Sequence, residues 1–440
     1  LMMRSIQHPF TTKWRRVNST PRHLYECVAK YMYKRPPRVA DSCYQEALRL
    51  ARADFTVQKV NPMHVNDVMR HYQNTDRSPG LPYTTQGYKR KDEVDPNKIK
   101  WAVHALKYGI WPKCKTPCTA AGKSAVSDSK DKVRLIWVYP AHMTFAEGMF
   151  AMPLIHELKQ QTGHRYGLWI RYLDGHMRLM YSLKPKRFKW FAVDWTSFDS
   201  SIPAWLIRDA FAILRDNFDF SKYQVRGVPT DSETLPRLWK QIVSYFINTP
   251  LKMPDGKVLL KQRGVPSGSY FTSLIDSVCN TIVMHYLMLR MRVSYSYKAF
   301  WVLGDDALMA IHDSLDVNEL AAIALEIFGM ELSETKTEIG DFPSFLGFGM
   351  HPTGVPQSKY ERLMAQLCLP QRPDRDIGEL AARVRALQLA SFGSCKKFLY
   401  ETQCWLESIG LPNPQLSRRN ELYVKLDSLG LSHWPPLSRA

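Results

Sequence analysis

Ser296-Tyr-Lys-Ala-Phe-Trp-Val-Leu-Gly-Asp-Asp-Ala-Leu-Met-Ala-Ile311 sets two adjacent carboxylates, Asp305 and Asp306, directly after Gly304. The apolar runs on either side, Phe300–Leu303 and Ala307–Ile311, read as β-strands. Like charges side by side repel, and burying them unpaired is costly. A bound divalent metal relieves both problems, so a strand–Gly-Asp-Asp–strand hairpin suits a cation held against a phosphate. The plainer reading is a polar hairpin tip, because Asp and Gly are common turn residues.

Working outward, Lys189–Val193 reads as a second strand, ending at Asp194. Pro203 suits the first turn of a helix through Trp205, Ile207, Ala210, Phe211 and Leu214. A carboxylate at a strand end can reach a neighbouring hairpin. Two-metal phosphoryl transfer draws ligands from at least two chain segments and holds its ions roughly 3.5–4 Å apart. Asp194 with Asp305 and Asp306 would supply that set; a helix cap or a surface residue is the alternative for Asp194. Asp199 follows five residues later, too far along the chain for a simple co-ligand.

Between these segments, Arg263–Thr272 is a glycine-bracketed loop opening a helix expected from about Ser269 to about Arg290. Thr272, Asp276 and Asn280 recur every four residues and so share one face. A polar stripe on an otherwise apolar helix asks for a partner, and a ribose hydroxyl is a suitable one. Gly264 and Gly268 would let the loop approach a ligand and move. A plain loop with a cap at Ser267 or Ser269 is the alternative. Lys130, Lys132 and Arg134 alternate, so a strand would present all three on one face, as a triphosphate needs or as an ordinary solvated face allows. Asp316 can cap a helix ended by Gly329, with Lys336 on the return segment.

Asp194-x4-Asp199, then Gly264-x2-Ser267-Gly268-x3-Thr272-x7-Asn280, then Gly304-Asp305-Asp306 resembles motifs A, B and C of viral RNA-dependent RNA polymerases. Each motif is moderately specific; all three in this order are highly specific. Arg134–Pro140, Gly264–Thr272 and Ser344–Gly347 resemble the polymerases of partitiviruses, which have segmented double-stranded RNA genomes. The likeness covers roughly residues 75 to 375 and is weak at both ends. It implies an α+β right-hand polymerase, with an antiparallel palm sheet backed by helices. Residues 1–185 would be fingers with an N-terminal fingertip region, 186–215 palm, 216–261 a fingers insertion, 262–358 palm and 359–440 a helical thumb.

The resemblance also implies roles. Asp194, Asp305 and Asp306 would hold two Mg²⁺ (or Mn²⁺) ions, and Lys336 would be the general acid for departing pyrophosphate. Lys130, Lys132 and Arg134 would grip the nucleoside triphosphate. Asp199, Ser267, Thr272, Asp276 and Asn280 would judge the ribose, although position 276 departs from the Asn of positive-strand relatives. Asp accepts only, so two carboxylates near one hydroxyl need a proton or a cation between them. Ser78, Gly80, Gly264 and Gly268 would line the template and primer path. Implied partners are single-stranded RNA template, duplex RNA product, nucleoside triphosphates and a viral capsid protein, in the virion interior and host cytoplasm. Glu379–Leu389 has helical spacing, and Arg383 and Arg385 beside it would face the product duplex or be solvated.

The whole chain fits this reading without specifying it. Its 440 residues carry 60 Lys and Arg against 41 Asp and Glu, a net charge of +19 that suits a polyanion. The basic residues are spread along the chain, which fits a tunnel better than a tail. The eight Cys lack a paired pattern. Cys114, Cys118, His104 and His142 are spaced poorly for zinc, and reduced thiols are the better reading. No signal peptide is expected, and charge interrupts every apolar run before a membrane span. The opening Leu1-Met2-Met3 suggests a start elsewhere. Two rivals share features of this reading. A reverse transcriptase has the same palm, but Asp199 and the Gly-x2-Ser-Gly-x3-Thr loop argue against it. A silent RNA-binding or capsid-associated relative need not keep Asp194, Asp305 and Asp306.

Overall fold

The computed structural model describes residues 14–33, 36–110, 115–128, 132–312 and 314–416. Its strands in chain order are β1 (Cys118–Ala125), β2 (Lys132–Val138), β3 (Lys189–Val193), β4 (Trp195–Thr196), β5 (Pro250–Lys252) and β6 (Val258–Leu260). There follow β7 (Tyr295–Leu303), β8 (Asp306–Ile311), β9 (Glu331–Leu332), β10 (Glu338–Gly340), β11 (Ser344–Phe345) and β12 (Phe348–Gly349). The sheet that carries the acidic residues has the order β10-β3-β8-β7 and is antiparallel throughout.

Alternation explains why this sheet is buried on both faces. Phe191 and Val193 of β3, Ala307, Met309 and Ile311 of β8, and Phe300 and Val302 of β7 enter the main core. Trp190, Ala192, Leu308, Ala310, Ala299 and Trp301 point the other way, onto Met177, Met180, Phe345 and Met350. Two-sided burial turns these strands into the near-continuous apolar runs seen in the sequence. Under the first face runs the helix Thr272–Met291, most of it buried, against the helix Ser42–Phe55. It starts three residues later than expected, with Phe271 rather than a serine at its cap. Pro203 likewise stands at the cap, one place before the helix Ala204–Arg215.

A second sheet, β2-β1-β5-β6, lies apart in sequence. Residues 216–261 contribute β5 and β6 to it, and their helix Thr234–Ile247 packs on Pro96–Tyr108 and Ala141–Gln160. The helices Tyr360–Cys368, Ile377–Ala390 and Lys396–Ser408 form a separate core of Leu363, Leu367, Val384, Leu387 and Phe398.

Here one expectation fails. Arg383 is paired with Asp374 and bonds the Gln366 and Leu367 carbonyls at the end of a neighbouring helix. Arg385 is 4% exposed. Arg383 is held within the helical unit and Arg385 is buried, so neither is a solvated residue or one facing a duplex. Capping carbonyls with a paired guanidinium is a better use of Arg383 than solvation, because it satisfies both groups at once.

Candidate active site

The hairpin β7–β8 closes through Leu303 opposite Asp306, which leaves Gly304 and Asp305 as the turn. Gly304 has φ +65, in the left-handed region that favours glycine. Val193 pairs with Ala307, so Asp194 leaves β3 beside this turn. Two side chains of the long helix fix the arrangement. Ser277 Oγ accepts from Gly304 N at 2.7 Å. Asn280 Nδ2 donates to the carbonyls of Gly304 (3.1 Å) and Asp305 (2.9 Å), while its Oδ1 accepts from Trp195 Nε1 at 3.1 Å. One buried amide thus lashes the Asp194 segment to the Asp305 turn.

The electrostatics are those of crowded carboxylates. Burial, then Asp305 and Asp194, push Asp306 up to about 7, against the pull of Arg362. Burial and Asp305 raise Asp199 to about 6, with Arg134 opposing. Asp194 is raised by burial and Asp305 and lowered by Lys336 and Lys132. Asp276 is 3% exposed and stands well above the usual carboxylate range, through burial and then Asp199 and Asp305. Lys132 is lowered by burial and by its neighbours Arg134, Lys336 and Arg362. Six carboxylates, Glu338 among them, and four cations from six separated segments therefore meet in one field.

This donor chemistry fits a divalent cation. Hard carboxylate oxygens are the ligands Mg²⁺ and Mn²⁺ take, and these carboxyls are raised first by burial and then by one another's charge, both of which a bound cation would relieve. Among the described residues, no three His, Cys, Asp or Glu side chains are already gathered into a ligand set. Cys118 is buried against the Tyr245 hydroxyl and His142 meets the Tyr83 hydroxyl at 3.1 Å; Cys114 lies outside the described residues.

Lys132 and Arg134 share the exposed face of β2, whereas Lys130 lies outside the described residues. Lys336 is placed beside Asp194 by the turn after β9, where Ser333 N donates to the Asp194 carbonyl at 2.8 Å. Asn280 is fully buried, and the strand ends occupy its amide. It is not available to a sugar, because the helix turns it toward the hairpin.

The glycine-bracketed loop is held by protein on every side the sequence leaves open. A Cβ on Gly268 would collide with the Trp137 carbonyl of β2, and one on Gly264 would come within 2.6 Å of the Asp199 carbonyl and 2.7 Å of the Tyr31 ring. Both glycines therefore admit close protein backbone, and any side chain there would strike it. Ser267 Oγ donates to the Leu135 carbonyl (3.1 Å) and accepts from Trp137 N (3.4 Å). Thr272 Oγ1 reaches the Pro266 carbonyl at 2.8 Å. Ser78 and Gly80 sit in a turn packed on Tyr139 and Pro140, with Lys91 Nζ on the Ser78 carbonyl at 2.7 Å.

Sequence reasoning missed Lys30, whose Nζ meets Ser197 Oγ at 2.8 Å, and Tyr31, whose hydroxyl reaches the Val265 carbonyl. It also missed a buried set behind the sheet. His285 Nε2 and Arg165 Nη2 meet Asp54 at 2.7 and 3.0 Å, and Arg165 also bonds the backbone of Tyr297 and Phe300 in β7. Burial pushes Asp54 up, but His285 and Arg165 outweigh it and leave the carboxyl below its ordinary value.

Comparisons with known proteins agree with this geometry. A family model described as viral RNA-dependent RNA polymerase matches residues 3–402, further at both ends than the motifs reach. The RNA-directed RNA polymerase of Cryptosporidium parvum virus 1 is 30% identical over 298 residues, 62% of this chain and 54% of that protein. The RNA-directed RNA polymerase of White clover cryptic virus 1 is 24% identical over 213 residues, 45% of this chain and 35% of that protein. The chain thus spans about half or less of the curated relatives it matches. Among solved structures, a human picobirnavirus RNA-dependent RNA polymerase superposes with TM-score 0.68 at 14% identity, over 92% of this chain and 76% of that one. The Sicinivirus 3Dpol RNA-dependent RNA polymerase gives 0.72 at 15% identity, over 95% and 93%. The fold is the right-hand polymerase fold of those proteins, α+β with an antiparallel sheet at its centre, and the chain belongs to the viral RNA-dependent RNA polymerase family.

Proposed function

We propose that this chain carries out template-directed RNA synthesis. The 3′-hydroxyl of a growing RNA strand attacks the α-phosphate of a nucleoside triphosphate, a phosphodiester forms, and pyrophosphate leaves. The observation that carries the reading is the Asn280 clamp, which holds the Asp194 and Asp305 segments side by side, within the field of Lys132 and Arg134 on β2. Asp194, Asp305 and Asp306 would hold two divalent ions, Mg²⁺ or Mn²⁺. When bound, these would supply Lewis acidity at the attacking hydroxyl and the phosphates.

The chain's own groups do the rest. Lys132 and Arg134 orient the triphosphate from β2, and with Lys130 they would form the basic strand over it. Lys336, whose charge acts on Asp194, would give a proton to the leaving pyrophosphate. Asp199 and Asp276 share one field with Asp305, so a proton between them would let the pair both accept from and donate to a ribose 2′-hydroxyl. Ser267 and Thr272 support the loop beside that sugar. Residues 1–185 and 216–261 serve as fingers, 186–215 and 262–358 as palm, and 359–440 as thumb. Template RNA and duplex product are the partners this role requires, with a viral capsid protein beside them, inside the virion and the host cytoplasm. Among the described residues no helix is long and apolar enough to cross a membrane.

Extension of a primed RNA template tests the reading. Wild-type chain should add rNTPs and discriminate against dNTPs, and Asp194→Asn should bind RNA yet add nothing. Equal use of dNTPs would favour the reverse transcriptase; RNA binding with no addition by wild type would favour a silent relative.

A further inference from the structure

The helix Ala141–Gln160 is buried along nearly its whole length. Glu147 stands in its middle with 0% of its surface exposed. Its Oε2 accepts from Ser269 Oγ at 2.8 Å and from Tyr270 N at 2.7 Å, and the Tyr139 hydroxyl lies against the same carboxyl. Burial pushes this carboxyl up to about 7, and the two hydrogen bonds and the nearby Tyr139 hydroxyl pull against it. A leucine would fill the place without desolvating a charge. What a carboxylate adds is a grip on two donors.

Those donors lie in the turn that joins Ser267 and Gly268 to the helix Thr272–Met291. The front of the turn is already fixed, by Ser267 on β2 and by Val265 N on the Asp199 carbonyl at 2.6 Å. Its back is otherwise closed by local bonds, such as Ser269 N to the Pro266 carbonyl at 3.1 Å. Glu147 ties it to a different helix.

We propose that Glu147 is a positioning residue for nucleotide addition: its carboxylate fixes the Ser269–Tyr270 turn against the helix Ala141–Gln160 and thereby holds Ser267 and Gly268 in place beside β2. The inference rests on the polymerase reading above. It acts through the loop, since Glu147 is buried too deeply to meet substrate.

The test compares wild type with Glu147→Leu, Glu147→Gln and Ser269→Ala by thermal midpoint, RNA affinity, and kcat and KM for the next rNTP on a primed template. Nucleotide addition by wild type in the same assay separates a failure of this inference from a failure of the polymerase reading. Glu147→Leu strands two donors but sheds a buried charge, so it should move the thermal midpoint by no more than a few degrees and keep its RNA affinity, yet lose about tenfold or more in kcat/KM, mostly as a higher rNTP KM, the scale of effect that misplacing a binding element produces. Glu147→Gln should restore most of it, because an amide oxygen can accept from both donors. Ser269→Ala keeps the carboxylate and its bond to Tyr270 N while removing the hydroxyl that joins Glu147 to Phe271 N, so it should fall in the same direction by a smaller factor. Wild-type kcat/KM in Glu147→Leu or in Ser269→Ala overturns the proposal. So does a loss that only tracks the thermal midpoint, or a Glu147→Gln that folds and is as defective as the leucine variant.

Discussion

Replacing Asp306 with asparagine should make the metal-free chain more stable, and more so the higher the pH. Asp306 is raised from an ordinary 3.8 to about 7 by burial and by Asp305 and Asp194. Below pH 3.8 both folded and unfolded chains hold the proton, and the group then imposes no penalty. As pH rises through 7, the unfolded chain has released its proton at little cost while the folded chain must charge a crowded site, so the stability present in acid is lost. A shift of about three units at 1.36 kcal/mol each puts the penalty at about 4 kcal/mol by pH 8 and under about 1 kcal/mol at pH 4. With an unfolding entropy of about 2 cal/mol/K per residue, 440 residues turn that into a rise of about 4 °C in the thermal midpoint at pH 8. The assay is thermal denaturation of both proteins with a chelator at pH 4, 6 and 8. An Asp306→Asn midpoint equal to wild type at pH 8, or a gap that does not grow with pH, would refute the reasoning that this carboxylate is crowded. Adding Mg²⁺ or Mn²⁺ should stabilise wild type more than the variant, because the cation offsets the same repulsion.

Other expectations follow from single contacts. Asn280→Leu strands Trp195 Nε1 and two carbonyls at the hairpin, so it should cost about 2–4 kcal/mol and drop kcat about a hundredfold while RNA affinity holds; denaturant midpoints and single-turnover extension check both. Gly268→Ala drives a methyl into the Trp137 carbonyl and should cost about 1–3 kcal/mol by overpacking, visible in the same denaturation assay, whereas Gly304→Ala meets nothing within 4 Å and should cost about 1 kcal/mol from its left-handed φ. Asp54→Asn leaves Arg165, whose side chain is 5% exposed, without its counter-charge and should destabilise by about 3–5 kcal/mol, read as a lower urea midpoint.

The acidic hairpin was legible because everything that defines it is local: apolar runs, one glycine and two aspartates within sixteen residues. The strand into Asp194 and the Asp316-capped helix were legible for the same reason, and the structure gives Lys189–Val193 and Val317–Phe328. What a side chain touches across the fold was not. The four-residue spacing put Thr272, Asp276 and Asn280 on one face, as the helix has them, but could not say that the face meets a hairpin at Asn280. Gly264 and Gly268 read as letting the loop approach a ligand, and a sequence does not show that Asp199, Tyr31 and Trp137 stand where their side chains would be. Arg383 and Arg385 looked exposed, since a charged residue's burial depends on a partner such as Asp374 arriving from elsewhere. Glu147 did leave a trace: a lone acid within the apolar run Met143–Leu154 marks a buried carboxylate.

The central claim is that Asp194, Asp305 and Asp306 form the metal-dependent centre of an RNA polymerase. It is met most directly by labelled-nucleotide incorporation on single-stranded RNA, with Mg²⁺ and with Mn²⁺, for wild type beside Asp305→Asn. The account predicts template-length RNA from wild type and essentially none from the variant, with RNA binding equal in both. Synthesis by Asp305→Asn at the wild-type rate in either metal would contradict it.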